Sequence, residues 1–238
     1  WVEPDGGDSE VPLAEEIYER GWREAPIDSE VPEAADGPWL IFCDECGLAD
    51  ALIEQLVNED REYVAVSVGK SLERTGPNRF QARPGSKDDL NTVLEEVSAI
   101  GGGKAPNVLH LWSVTDENET HDTADAFRRA SLLGFHTLIA LTQEAYKRAM
   151  CEEMNVLVVA NGIACLDDEP GLEHTEKGTL LGPCLTIPIE IKGMSIRCLD
   201  IPSIGGEDVA SWVTESILRE AGVSEKRWLT PPSCRRMR

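Results

Sequence analysis

Short apolar runs alternate with amphipathic stretches along the chain from residue 38 onward. Four of the runs show no polar face, which is typical of strands buried on both sides of a parallel sheet. They cover residues 39–43, 63–68, 107–112 and 156–160. Between them, apolar residues recur every three or four positions and predict helices. These helical stretches cover residues 48–57, 90–100 and 122–149.

The pattern is less regular towards the end of the chain. Residues 184–191 and 195–201 are short apolar runs that we predict to be extended. Val209, Trp212, Val213 and Ile217 recur at helical spacing and predict a last helix that ends at Gly222. Strands that alternate with helices predict an α/β domain, a Rossmann-like parallel sheet with helices on both faces.

The first 36 residues differ in composition from the rest, with twelve acidic and two basic side chains. We predict an acidic linker over 1–36 with a short docking segment at 13–23, where Leu13, Ile17, Tyr18 and Trp22 are apolar. The main domain is expected over 37–225 and a second linker over 226–238.

Charge and cysteine usage narrow the classes of partner. The formal net charge of −22 would repel a phosphate backbone, so we expect no nucleic-acid partner. No apolar run approaches the roughly 20 residues of a membrane helix, so no membrane partner is expected. The seven cysteines are scattered through apolar stretches, which favours reduced thiols and a cytosolic location.

The turn after the first strand is where a dinucleotide-binding domain carries its glycine-rich loop, because glycines let the backbone approach the pyrophosphate. Here the turn reads Asp44-Glu45-Cys46-Gly47. One glycine remains, and two carboxylates take the place where phosphates would lie. The sequence therefore argues against a cofactor at this turn. The glycine run at 101–103 follows a helix and predicts a helix stop.

Short-chain reductases donate a proton from a tyrosine that is followed four residues later by a lysine, one helical turn away. The residues four positions after Tyr18, Tyr63 and Tyr146 are tryptophan, serine and methionine. The sequence therefore predicts no such proton donor.

Other candidate groups have simpler structural interpretations. Cys43 and Cys46 have the spacing of a redox or zinc pair, but no second pair accompanies them and Cys43 lies within a strand. His110 is expected to be a strand residue with a satisfied hydrogen bond. His121, His136 and His174 are far apart, and the carboxylates at Asp88-Asp89 and Asp167-Asp168-Glu169 are expected to cap helices or face solvent. We predict no catalytic, cofactor-binding or metal-ligating residue in this segment.

Six stretches, in one order, resemble the ketoreductase structural subdomain of type I polyketide synthases and polyunsaturated fatty acid synthases. They are Ile17-Tyr18-Glu19-Arg20-Gly21-Trp22-Arg23, Gly37-Pro38-Trp39-Leu40-Ile41-Phe42, Val108-Leu109-His110-Leu111-Trp112-Ser113, residues 133–143, Val158-Val159-Ala160-Asn161-Gly162, and the block from Leu180-Leu181-Gly182-Pro183-Cys184 through Ile187-Pro188-Ile189-Glu190 to Arg197-Cys198-Leu199-Asp200-Ile201.

The resemblance implies a truncated Rossmann-like half that binds no cofactor and stabilises a second, catalytic half that binds NADPH. It also implies dehydratase, enoylreductase or methyltransferase neighbours and an acyl carrier protein in the same synthase. The chain ends before any glycine loop, and residues 228–238 depart from the usual link, which would suit a domain inserted between the halves. Two alternatives remain open: the remnant of an inactive ketoreductase, and an unrelated free-standing α/β enzyme that uses Cys46 or a carboxylate.

Overall fold

A computed structural model gives the architecture of the chain. It describes residues 22–23, 36–116, 123–163, 174–201, 213–214, 216–217 and 236–237. Leu13, Ile17 and Tyr18 of the predicted docking segment lie outside these ranges, as do Val209, Trp212 and Gly222 of the predicted last helix.

In the described part of the chain, nine strands form two sheets. In chain order they are β1 (Trp22–Arg23), β2 (Trp39–Phe42), β3 (Tyr63–Val68), β4 (Glu73–Gly76), β5 (Arg79–Ala82), β6 (Asn107–Ser113), β7 (Asn155–Asn161), β8 (Ser195–Ile201) and β9 (Arg236–Met237). Seven of them make one sheet in the order β4-β5-β3-β2-β6-β7-β8, parallel except for β4. The remaining two, β1 and β9, pair antiparallel and join the two predicted linkers.

Helices cover both faces of the large sheet. They are α1 (Leu48–Asn58), α2 (Lys87–Ile100), α3 (Ala124–Ser131), a π-helical segment (Leu132–His136), α4 (Thr137–Lys147), a 3₁₀ segment (Thr175–Leu180) and α5 (Leu181–Glu190). The core on one face takes buried side chains from α2, α4 and α5, and the core on the other face takes them from α1. Val213 and Ile217, which are helical, also pack into the second core.

The sequence pattern and the structure agree on the fold class. The predicted Rossmann-like parallel sheet with helices on both faces is confirmed. The strands predicted at 39–43, 63–68, 107–112, 156–160 and 195–201 are confirmed to within one residue at each end. The helical region predicted over 122–149 is confirmed in its described part, and its middle turn is π-helical.

The prediction that residues 184–191 are extended is wrong, because Leu181–Glu190 is the helix α5. Three β-branched residues favour a strand in this segment, and its two prolines disfavour a helix. Pro183 lies in the first turn, where a helix needs no N–H donor, and Pro188 lies inside the helix. Burial of Leu180, Cys184 and Ile187 at helical spacing outweighs the local preference.

Two other features differ from expectation or were not foreseen. Asp89 does not face solvent: its side chain is 2% exposed and forms an ion pair with Arg83, with 2.6 Å between Asp89 Oδ1 and Arg83 Nη2. This pair lowers the pKa of Asp89. The hairpin of β4 and β5 was not predicted, because β4 has no apolar side chain and β5 buries only Phe80 and Ala82.

Among the described residues, no helix combines the length and the apolar character that crossing a bilayer would require.

Candidate functional site

The strand order places a candidate site at the carboxyl ends of β2 and β6. Chain connections run outward in opposite directions from these two neighbours, with β3 and β5 on one side and β7 and β8 on the other. Open α/β sheets bind ligands in the crevice at such a switch point. Two adjoining cavities of about 340 and 130 Å³ open there, and Trp112, Thr115, Arg129 and Leu133 line both.

The backbone of the turn after β2 is hydrogen-bonded to the carboxylate of a residue in the same turn, Asp44. Asp44 Oδ2 accepts hydrogen bonds from the backbone N–H groups of Cys46 at 2.8 Å and Leu48 at 3.1 Å, and Oδ1 accepts one from Ala49 at 2.7 Å. Cys46 precedes α1, and Leu48 and Ala49 lie in its first turn, where a Rossmann domain holds a pyrophosphate. Gly47 adopts a φ of 89°, which lets the backbone fold around the carboxylate. The Asp44 carboxylate thus takes the position that a phosphate would need.

Glu45, the second acid of the turn, points to a different partner. Its Oε2 lies 3.1 Å from Nη2 of Arg129 on α3, and both side chains are more than half exposed. This ion pair spans the smaller cavity, which Glu45 and Arg129 both line. The two carboxylates predicted to oppose phosphate therefore lie at this edge in separate roles.

A buried lysine forms the second charged centre of the edge. Lys177 is 4% exposed, and its Nζ donates to Thr115 Oγ1 at 2.8 Å, Asn161 Oδ1 at 2.7 Å and the Asn161 carbonyl at 3.2 Å. The Asn161 side chain also accepts from the Thr115 N–H and donates to the Thr115 carbonyl. Since Asn161 ends β7 and Thr115 follows β6, the ammonium ties two neighbouring strand ends together.

No sequence pattern marked this lysine cluster. Asn161 stood at a predicted strand end, which marked that position as part of the carboxyl edge. Lys177 lies 16 residues further on, in a 3₁₀ segment with no motif around it. Beside it, His174 Nδ1 lies 3.2 Å from Glu176 Oε1, and both side chains are buried.

A glycine lets the π-helical segment reach this edge. An added Cβ at Gly134 would lie 2.8 Å from Leu180 Cδ1 and 3.2 Å from Ser113 Oγ. A side chain there would push the segment away from β6 and from the 3₁₀ turn. Gly134 therefore allows the π-helical segment to lie close to Ser113 and Leu180, next to Leu133, which lines the larger cavity.

The cysteine pair contributes no reactive thiol through Cys43. Burial, together with the neighbouring Asp44 carboxylate, raises the pKa of Cys43 to about 12, so the thiol stays protonated at neutral pH. Its Sγ lies 3.7 Å from the Ile41 carbonyl, to which it donates. Within the described ranges, no three His, Cys, Asp or Glu side chains converge in a way that would hold a metal ion.

His110 lies in the interior of β6 and not in a cavity wall. Its ring packs against those of Phe42 and Trp112, with centroid distances of 5.1 and 6.0 Å, and these two rings also contact each other. Neither ring nitrogen has a hydrogen-bond partner among the described residues, so the expected hydrogen bond is not found. Burial lowers the pKa of His110 to about 4, which keeps the ring neutral.

The remaining candidates lie apart from the edge or outside the described ranges. Tyr63 begins β3, Tyr146 is 67% exposed near the end of α4, and His136 is exposed in the π-helical segment. Tyr18, His121 and the carboxylates at 167–169 are not among the described residues. The structure brings no tyrosine to the described lining of the two cavities.

Comparison with known proteins gives one family match. The model of the family described as beta-ketoacyl synthase-like, N-terminal, matches residues 37–164, more than half of the chain. The match covers β2 to β7. It therefore includes Asp44, Thr115 and Asn161 at the carboxyl edge of the sheet but not Lys177. No curated protein matches the chain.

Solved structures share the fold at low sequence identity. One is a multidomain structure with adenylation, ketoreductase and pseudo-Asub domains from a keto acid-selecting NRPS module, with a TM-score of 0.76, 20% identity, and coverage of 92% of this chain and 18% of that one. Another is an N-terminal ketoreductase from a macrolactin assembly line, with a TM-score of 0.66, 12% identity, and coverage of 92% and 43%.

A short-chain dehydrogenase/reductase from Serratia marcescens also matches, with a TM-score of 0.54, 13% identity, and coverage of 82% of this chain and 95% of that one. This chain therefore spans less than half of either assembly-line protein but nearly the whole of a single reductase. The shared architecture is the Rossmann-like fold.

Proposed function

Since the chain belongs to the beta-ketoacyl synthase-like, N-terminal family, we propose that it is the noncatalytic structural half of a ketoreductase domain in a polyketide- or fatty-acid-type synthase. In this role it stabilises a second, catalytic half that binds NADPH and reduces β-ketoacyl chains on an acyl carrier protein. The two assembly-line structures of the same fold support the proposal, because each includes a ketoreductase.

One observation carries the noncatalytic part of the proposal: the Asp44 carboxylate accepts from three N–H groups at the start of α1. A pyrophosphate would have to displace a charged group that is already hydrogen-bonded, and it would meet like charge from Glu45 as it approached. The residues of this turn therefore do not fit a dinucleotide. We propose that this segment binds no cofactor.

The lysine cluster supports the same conclusion. A reductase lysine acts on a neighbouring tyrosine, whereas the Lys177 ammonium here contacts Thr115 and Asn161. The described lining of the two cavities includes no tyrosine, the residue that donates the proton in such a reductase. The ammonium instead supports the ends of two strands, which is a structural role.

The segment boundaries belong to the proposal as well. We propose that residues 37–225 form the structural half and that 1–36 and 226–238 are linkers to neighbouring domains. The pairing of β1 with β9 supports a common path for the two linkers, because one strand comes from each. The proposed neighbours are dehydratase, enoylreductase or methyltransferase domains of a cytosolic synthase.

Calorimetric titration of the chain with NADPH tests the noncatalytic role. We expect no saturable heat up to millimolar cofactor, because the N–H groups of the first turn are occupied. The Asp44→Ala variant is the matched control, because its N–H groups at this turn are no longer occupied by a carboxylate. Micromolar NADPH binding by the unmodified chain would overturn the proposal.

The flanking sequence of the parent gene separates an active from an inactive ketoreductase. A glycine loop and a tyrosine four residues before a lysine in the other half would support an active domain. Their loss would support the alternative that the chain is a remnant kept for its architecture.

The two adjoining cavities favour one further candidate, a free-standing α/β enzyme, because Cys43 and Cys46 line the smaller of them. A functional thiol in such an enzyme would be ionised, yet burial raises the pKa of Cys43. Its other candidate nucleophile is Cys46. Reaction of the chain with iodoacetamide at pH 7, followed by mass spectrometry, tests it: rapid alkylation of Cys46 alone would favour the enzyme, and slow alkylation would exclude this nucleophile.

A further inference from the structure

Two neighbouring stretches of the chain carry no charged residue, although 28% of all residues are charged and the net charge is −22. Residues 132–143 include the π-helical segment and the first half of α4, and residues 178–189 include nearly all of α5. Helices at the surface of a globular domain normally carry charged residues on the outer face. The outer face of these helices therefore has the composition of a covered surface.

The two stretches lie side by side. Helices α4 and α5 are in contact and contribute to the core on the same face of the sheet. The ring of Phe135 reaches α5, where an added Cβ at Gly182 would lie 3.9 Å from Phe135 Cε2. The uncharged surfaces of the two helices are therefore continuous.

Five of the half-exposed and exposed apolar side chains of these helices define what we call the α4–α5 face: Phe135, Ile139, Leu181, Leu185 and Ile189. The last three recur every four residues and form one stripe along α5. Ile189 is 80% exposed, the highest value among the large exposed apolar side chains of the described residues.

The inner side of α5 is already used. Cys184 and Ile187 are 2% and 3% exposed and pack into the core. Leu181 also packs partly against this core, whereas Leu185 and Ile189 are not among the residues that form it, so this part of the stripe is additional to the side that holds α5 on the sheet. Single exposed apolar residues need no explanation, but a contiguous uncharged patch on two helices marks an interaction surface.

We propose that the α4–α5 face is the surface on which the catalytic half of the ketoreductase docks; this inference rests on the proposed function. The face has no charges to pair, so its partner must present an apolar surface. A second copy of this chain would bring another charge of −22 and would be repelled at long range. A further domain of the same polypeptide needs no such encounter, and the chain spans only 43% of the macrolactin ketoreductase that shares its fold.

The experiment measures binding of the 238-residue chain to the polypeptide of the same synthase that carries the glycine loop and the catalytic tyrosine. Ile189→Asp should weaken binding roughly tenfold or more, because the docked carboxylate would be buried without a partner. Val57→Asp is the matched control, since Val57 is an exposed valine on α1, at the opposite face of the sheet. It should change the Kd less than about twofold.

The outcomes separate the surface from the function. Binding by the unmodified chain that both variants retain would overturn the docking face and leave the structural role intact. No binding by the unmodified chain would overturn the proposed function itself. Sedimentation of the chain alone completes the test: a dimer that Ile189→Asp dissociates would assign the face to a second copy and overturn the proposal.

Hydroxyl-radical footprinting gives a measurement that needs no variant. Leu181, Leu185 and Ile189 should be oxidised in the free chain and protected several-fold in the complex, whereas Val57 should be oxidised equally in both. Equal oxidation of the three α5 residues with and without the partner would overturn the docking face.

Discussion

The turn after β2 and the lysine cluster at the ends of β6 and β7 lie at the same edge of one sheet, and each is organised by one charged side chain. Asp44 accepts from N–H groups two to five residues away in the sequence, at the half-exposed start of α1. Lys177 is buried and donates to groups 16 and 62 residues away. The first is a local helix cap, and the second is a long-range link.

This difference has an energetic consequence. A capping carboxylate can be replaced in part by water, so its loss should cost less than the loss of a buried ammonium. The buried ammonium donates to three acceptors, so its loss removes three hydrogen bonds to a charged group at once. The two centres should therefore differ in their contribution to stability, although both occupy places that a ligand would take in a binding domain.

Removal of the lysine should have the largest effect. Lys177→Met keeps the length of the side chain but leaves Asn161 Oδ1 and the Thr115 hydroxyl without a charged donor. We expect a loss of about 4 kcal/mol in the free energy of unfolding by urea, with an unchanged m-value. Lys192→Met, at an exposed lysine, is the control and should stay within about 0.5 kcal/mol. Equal losses in both variants would refute the structural role of Lys177.

His110 provides a second test of stability near the two charged centres, because it lies in the interior of β6, whose carboxyl end is at the same edge of the sheet. Its folded pKa of about 4 lies below the ordinary value of 6.5, so the unfolded chain binds a proton that the folded chain excludes. Stability should therefore fall by about 3 kcal/mol as the pH decreases from 6.5 to 4. The contribution of Asp89, whose pKa is also lowered, is lost only as the pH falls below its ordinary value of 3.8.

The control for this pH dependence is His110→Phe, which keeps an aromatic ring against Phe42 and Trp112. Urea unfolding at several pH values should show a much flatter dependence between pH 6.5 and 4 in this variant. A slope as steep as that of the unmodified chain would place the titrating group elsewhere.

Loss of the cap after β2 should have a smaller effect. Asp44→Ala leaves three N–H groups of the first turn to water and should cost about 2 kcal/mol in thermal or urea unfolding. Asp44→Asn retains one acceptor oxygen and should cost about half as much. If Asp44→Ala proved as costly as Lys177→Met, the distinction between a local cap and a buried link would fail.

The same distinction explains which features the sequence predicted. Buried strands such as β3 and β6 have short apolar runs, and the acids after β2 stand next to the N–H groups they affect, so both could be recognised locally. The contacts of Lys177 depend on how distant segments meet, and no local pattern encodes them. The helix α5 was mistaken for a strand because packing against the core outweighed the preferences of its prolines and β-branched residues. The docking segment and the linkers remain predictions.

The ion pair between Glu45 and Arg129 should have the smallest effect, although it connects the turn after β2 to α3 across the smaller cavity. Both side chains are more than half exposed, so water and salt screen their attraction. Arg129→Ala should cost about 0.5 kcal/mol in urea unfolding at low salt and less at high salt. Arg128→Ala, which breaks an ion pair with Asp125 within α3, is the matched control and should behave alike. Two results would contradict this. One is a cost of more than about 1.5 kcal/mol for Arg129→Ala, and the other is a double variant, Asp44→Ala with Lys177→Met, whose loss of unfolding free energy differs from the sum of the two single losses. Either result would show that the two charged centres are coupled through this ion pair.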